Sequence, residues 1–243
     1  MDFLLALWTR VSARAEALPV GTVWLTIAAA ALLVLLPVAW HVTRHVVTIA
    51  HEGGHGLVAS MSGRKLSGIR LHSDTSGLTV SRGRPTGPGM ILTLLAGYTA
   101  PALLGLGAAR LFGLGYAVGL LWLLLVALAL LLVQIRNWFG LWSVLVTAAV
   151  VFSVTHFGSS RVQGVFALLV TAFLLLASVR TIVELQVTRS RQRSSGSDAD
   201  QLARLTHLPG LFWVAVFLIV SLASVALSAQ FLGLYCVAGC ALP

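Results

Sequence analysis

The stretch His51-Glu52-Gly53-Gly54-His55 puts two imidazoles four residues apart, with a carboxylate between them. On an α-helix, residues at that spacing lie one turn apart on the same face. Two such imidazoles can hold one zinc ion, and the carboxylate is then placed to take a proton from a water that the ion activates. The pattern predicts Zn2+ as cofactor, His51 and His55 as ligands and Glu52 as general base. A catalytic site of this kind also needs a third protein ligand and an open fourth position. The motif lies in an apolar run, 46–61, whose only carboxylate is Glu52. A charge in hydrocarbon costs about 3 kcal/mol or more, so an intramembrane carboxylate points to function.

Membrane helices must position this motif. The chain has 243 residues, of which 58% are hydrophobic and 9% charged, against roughly 25% charged in a soluble domain. Mean hydropathy is +0.96. These values describe an all-α polytopic membrane protein. Its net charge of +9 sits in loops between spans, where anionic headgroups and the insertion machinery favour Lys and Arg. No basic face interleaved with aromatics appears, which excludes nucleic acid as a partner. The two cysteines, Cys236 and Cys240, exclude a Cys-rich metal site and permit a disulfide in an oxidising compartment.

Seven apolar runs read as transmembrane helices: 20–40, 46–61, 90–111, 115–135, 138–157, 162–185 and 211–236. The second is short, its separation from the first is slight, and Pro37 is a candidate kink that would join the two in one bent helix. Segment 62–88 is rich in Gly and Pro. Within it, 68–71 and 77–80 are β-prone pieces around His72-Ser73-Asp74-Thr75-Ser76, which predicts a small β-hairpin on the cytoplasmic side. The chain therefore divides into a cytoplasmic N-terminal amphipathic segment (1–19), a membrane-embedded core (20–185), a flexible basic cytoplasmic loop (186–209) and a C-terminal transmembrane helix (210–243). The stretch 188–203 reads as flexible because Arg, Ser, Gly and Asp dominate it.

Charge orients these spans. With a cytoplasmic N-terminus and seven crossings, the inside carries Arg10, Arg14, Arg64, Lys65, Arg70, Arg82, Arg84, Arg136, Arg180, Arg189, Arg191, Arg193 and Arg204. The outside carries only Arg44, Arg110 and Arg161, and the C-terminus lies outside, as expected of a multi-pass protein of the cell membrane. His51 and His55 then fall within about 15 Å of the cytoplasmic surface. Asn137, at the cytoplasmic junction of the fourth and fifth spans, is the polar residue there best placed to point inward.

The chain resembles the site-2 protease family of intramembrane zinc metalloproteases, in its short branch without a PDZ domain. The resemblance rests on His51-Glu52-Gly53-Gly54-His55-Gly56, the hairpin-like segment 63–84, Leu95-Ala96-Gly97-Tyr98-Thr99-Ala100-Pro101 and Arg136-Asn137-Trp138-Phe139-Gly140. It implies a peptidase that cuts membrane-spanning or membrane-tethered proteins within the bilayer. Gly97, Tyr98 and Pro101 would contact substrate. So would Leu78 and Val80, if the hairpin edge pairs with an extended substrate. At the third ligand the family commonly offers an Asp followed closely by Gly. The matching position here is Asn137, with Gly140 three residues on. A neutral amide is a weaker zinc ligand than a carboxylate. Asn137 thus ligates weakly, supports the ligands from behind, or marks a relative that has lost proteolysis and serves as a membrane binding or quality-control module or a metal carrier. Glu184 is a reserve ligand whose simpler reading is a snorkelling helix-end charge. His41, His45 and His72 read more simply as interfacial or loop histidines than as a second metal site.

Overall fold

The structure is a computed structural model that describes residues 5, 8, 9, 11–191 and 196–234; Cys236 and Cys240 lie outside the described residues. The elements are α1 (Val20–Leu35), α2 (Pro37–Met61), β1 (Lys65–Leu71), β2 (Gly77–Arg82), α3 (Pro88–Gly113), α4 (Ala117–Gln134), α5 (Trp138–Phe157), α6 (Ser160–Arg191), α7 (Asp198–Thr206) and α8 (Gly210–Phe231). Helices α3, α4, α5, α6 and α8 are each long and apolar enough to cross a membrane, and the bent pair α1 and α2 brings the number to six. The protein is therefore a multi-pass membrane protein with a small antiparallel hairpin.

Seven crossings are expected from the sequence, against five such helices among the described residues, or six with the bent pair; the difference falls at Pro37. Proline bars the preceding residue from helical geometry, and Leu36 is extended (φ −74°, ψ 123°). The chain turns by 96° there. Beyond it α2 continues unbroken through His41–His45, where the sequence suggested a boundary. Near its start, Arg44 lies 3.5 Å from Glu184 of α6. At its far end, Ser62 packs beside Gly89 at the start of α3. The start of α3 in turn shares a core with the second half of α6, through Leu94, Ile182 and Leu185. Both ends of α2 thus lie toward one end of the bundle, and the helix runs across that end instead of through it. Arg44 and Arg180, expected on opposite sides, both reach Glu184.

Two segments meet at the turn between α3 and α4, at the end of the bundle opposite the hairpin: the Ala15 N–H donates to Gly115 C=O at 2.8 Å, and Phe231 packs against Gly113.

The hairpin closes at residues 72–76. Thr75 takes the left-handed φ of 70°, and Asp74 Oδ1 accepts from both the hydroxyl and the N–H of Ser76, at 2.6 and 3.0 Å. Those bonds, the hydroxyl first, hold the Asp74 carboxyl below its usual range. Gly68, at a bulge with φ +143°, lies against Arg136, where a Cβ would collide. Ile69 and Leu71 are buried in the same apolar cluster as Leu128, Ile135 and Val144. The outer edge of β1 is filled by the α4–α5 junction. Arg136 N–H donates to Ile69 C=O at 2.9 Å. Asn137 accepts from Leu71 N–H at 3.1 Å and donates to Leu71 C=O at 2.6 Å. One side-chain amide here imitates a neighbouring strand, which keeps the edge of β1 paired. Asn137→Ala leaves both Leu71 groups without these partners. It should lower stability by about 1–3 kcal/mol, read as an earlier thermal unfolding midpoint in detergent, with metal content unchanged.

Candidate metal centre

His51 and His55 project from the middle of α2 toward α3. Their Nε2 atoms are 3.1 Å apart. Asp198 Oδ2, from the first residue of α7, lies 3.4 Å from His51 Nε2 and 3.2 Å from His55 Nε2. A tetrahedral zinc ion with bonds of about 2.0–2.1 Å needs donor atoms about 3.3 Å apart. The triangle formed by these three atoms has that size, and among the described residues it is the one group of His, Cys, Asp and Glu able to hold a metal. Three protein ligands leave the fourth position open, the pattern of a catalytic ion and not a structural one.

Three further observations test the fit. His55 Nδ1 lies 2.6 Å from Thr93 C=O. A carbonyl can only accept, so Nδ1 carries a proton and Nε2 is the nitrogen turned to the site, the arrangement a metal ligand requires. Asp198 Oδ2 is buried without a hydrogen-bond partner among the described residues, a costly state unless a cation sits there. Burial pushes this carboxyl up, and the two imidazoles facing it act in the opposite direction and lower it. Finally, a Cβ on Gly97 of α3 would overlap His55 Nε2 and crowd His51 Cε1 at 2.7 Å. Gly97 is the space the two rings occupy.

The surrounding elements fix each ligand. Gly54 lies against Ala96 and Ala100 of α3, with no room for a Cβ, so the two helices approach closely. The edge of the Tyr98 ring packs on His51 with centroids 4.7 Å apart, and Tyr98 stacks on Phe217 of α8 at 5.2 Å. Asp198 is held through α7. The Ser197 side chain caps that helix by accepting from Asp200 N–H and donates to Asp200 Oδ2 at 2.8 Å, a form of capping box. Arg189 at the end of α6 grips Asp200 Oδ1 at 2.8 Å. Ala199 and Leu202 are fully buried in the cluster with Trp213 and Phe217. The segment expected to be a flexible loop thus contains a docked helix, and that helix carries a site residue.

Glu52 is 4% exposed. Its Oε2 accepts from the Thr79 hydroxyl of β2 at 2.6 Å, and its carboxyl lies against Gly77, where a side chain would fill the same space. Thr48, one turn earlier on α2, donates to Thr75 C=O at 2.9 Å, so the hairpin is tied to α2 at two points. His51, Glu52, Gly77 and Tyr98 all line one cavity of about 330 Å³.

Of the other residues singled out by the sequence, Tyr98 and Gly97 are at this site. Pro101 is fully buried in α3, one turn beyond Gly97. Leu78 and Val80 are exposed, on the face of β2 away from Glu52. Asn137 has its amide on Leu71 and does not join the two histidines. Glu184 is engaged by Trp40 Nε1 at 2.7 Å and Arg180 Nε at 3.0 Å. Asp198 is the residue that the sequence reading passed over. The signal that finds it is Ser197-Asp198-Ala199-Asp200 before Leu202: a cap, an acidic first turn and an apolar stripe at helical spacing.

A bundle of apolar helices with two imidazoles and a carboxylate converging beside a buried glutamate defines a membrane metalloprotease in kind. The family described as Peptidase M50B-like matches residues 24–228, and the chain belongs to that family, the site-2 proteases, whose members are zinc enzymes. No curated protein and no solved structure matches the chain.

Asp198→Ala should lose bound zinc, whereas Asn137→Ala should retain it; metal analysis of the two purified proteins separates the two third-ligand assignments. Gly97→Val should also empty the site by displacing both rings.

Proposed function

We propose that the protein is an intramembrane zinc endopeptidase that hydrolyses peptide bonds in or near the membrane segments of other proteins. The observation that carries this reading is the triangle of His51, His55 and Asp198, with His51 and Glu52 both lining one cavity. A zinc ion held by those three residues supplies a Lewis acid that acidifies water and polarises a peptide carbonyl. Glu52, oriented by Thr79, accepts the proton that water loses as its oxygen adds to the carbonyl carbon. It then delivers that proton to the amide nitrogen as the C–N bond breaks. Burial in an apolar bundle strengthens each of these charge interactions.

The hairpin is suited to hold the scissile segment extended. Because His72 and Ser76 are hydrogen-bonded across the turn, alternation along the ladder points the backbone groups of Leu78 and Val80 inward to β1. The groups of Gly77, Thr79 and Ser81 then point to the free edge, while the side-chain face of the same residues meets Glu52. With β1 closed by Asn137, β2 is the edge open for strand addition. A proline at Leu78 or Val80 would therefore disrupt the hairpin itself, so the sharper probe is a substrate with blocked amides.

Charge supports placing the hairpin end in the cytoplasm. Arg64, Lys65, Arg70, Arg82, Arg84, Arg136, Arg189, Arg191 and Arg204 belong to that end, against Arg14, Arg110 and Arg161 at the other. Both ends of the described chain are then outside. A non-catalytic membrane module draws its support from a neutral third ligand, and with Asp198 beside the imidazoles no observation favours it.

Glu52→Gln should keep about one zinc per chain and reduce cleavage of a reconstituted membrane peptide by about 10²–10⁴-fold. Cleavage that survives this change refutes the assignment of Glu52. N-methylation of alternate amides flanking the scissile bond should reduce turnover at least roughly tenfold, and turnover indifferent to it excludes strand addition.

A further inference from the structure

The cavity beside the metal centre has a charged wall for which the hydrolysis has no use. Arg44 of α2 and Glu184 of α6 line it together with His51 and Glu52. Glu184 is shared between two guanidiniums. Its Oε1 takes Trp40 Nε1 and Arg180 Nε, while its Oε2 is 3.5 Å from Arg44 Nη2, longer than the 2.7–2.9 Å of a charge-assisted hydrogen bond. Arg180 has further partners: it also donates to Val34 C=O and lies 4.5 Å over the Trp40 ring. Arg44 sits 5.9 Å over the same ring and keeps 36% of its side chain exposed. Glu184 faces two guanidiniums, and the loosely held one, Arg44, is the one that lines the cavity; Glu52, the other carboxylate of that lining, is engaged by the Thr79 hydroxyl. The remaining polar lining on this side is hydroxyl, from Thr75, Ser76, Thr181, Thr188 and Ser197.

The free edge of β2 leads to the same place. Gly77, the first residue of that edge, lines the cavity, and so do Thr75 and Ser76 just before it. An extended segment paired along Ser81, Thr79 and Gly77 would end at the cavity that Gly77, Glu52 and Arg44 line. We propose that Arg44 forms a carboxylate subsite of the substrate cleft and selects segments that place an acidic group there. That group is either an Asp or Glu side chain or the α-carboxylate of a chain end. The proposal rests on the peptidase reading for its substrate class, and its test is a binding experiment that does not depend on turnover.

The zinc-loaded Glu52→Gln protein in detergent is titrated with fluorescent apolar peptides of one sequence. The set comprises a neutral amidated parent, amidated versions with Asp at successive positions, and the neutral sequence with a free C-terminus. At least one acidic version should bind about tenfold to hundredfold more tightly than the parent, and the version that does so identifies the source of the carboxylate. Adding Arg44→Gln should erase the preference, while Arg44→Lys should keep part of it; zinc content reports that the site is intact in each. Equal binding of all peptides, or a preference that persists in Arg44→Gln, overturns the subsite and assigns Arg44 to neutralising Glu184. Cleavage of the parent by the wild type is read separately. If the wild type binds acidic peptides through Arg44 and cleaves none, the peptidase reading fails and the subsite stands. If all peptides bind alike while the parent is cleaved, the subsite alone fails.

Discussion

A helix that carries a glutamate and two histidines among apolar residues needs polar partners for each of them, because hydrocarbon offers none. The bend at Leu36 and Pro37 meets that constraint. By turning α2 across one end of the bundle, it lays the polar face of the helix between α3, the hairpin and the end of α6, with α7 closing over it. Had α2 continued straight from α1, His55 would not meet Thr93, Glu52 would not meet Thr79 and Asp198 would not reach either imidazole. The fold around the site is in this sense a set of partners assembled around one crosswise helix.

Glycine gives those partners their proximity. Gly54 and Gly97 remove side chains at the crossing of α2 and α3, and Gly77 removes one where β2 meets the Glu52 carboxyl. Each vacated volume is filled by a functional group or by the neighbouring helix, so a methyl group at any of them acts on the chemistry through displacement. Glycine disfavours helix by about 1 kcal/mol relative to alanine. Its presence three times on α2, at Gly53, Gly54 and Gly56, makes sense with α4, α3 and the hairpin packed against them.

What the sequence made legible followed from local rules. The His–Glu–His spacing located the site, Pro37 marked the kink, and the alternation around His72–Ser76 marked the hairpin. The errors came where a long-range contact decided the outcome. Counting seven crossings treated the run containing His51 as a separate span, whereas it belongs to a helix that follows α1 after a 96° bend. Asn137 was the polar residue at the expected depth, but a side-chain amide matches a strand edge as well as it matches a metal, and Leu71 claims it. Asp198 lay in a polar, Ser-rich stretch whose composition argues for disorder. Its helix is stable because Ala199 and Leu202 pack on α8 and because Arg189 and Ser197 fasten Asp200, contacts that composition cannot report.

The distribution of the metal ligands along the chain has a consequence for biosynthesis. His51 and His55 leave the ribosome early, whereas Asp198 follows only after α3, α4, α5 and α6. A ligand set completed that late binds zinc tightly only when most of the bundle has been inserted and α7 has docked, and the ion then stabilises that docking by mass action. A nascent chain therefore passes through the insertion machinery, among the unfolded membrane segments of other proteins, without a complete hydrolytic centre. On the proposed reading, zinc binding would come late in assembly.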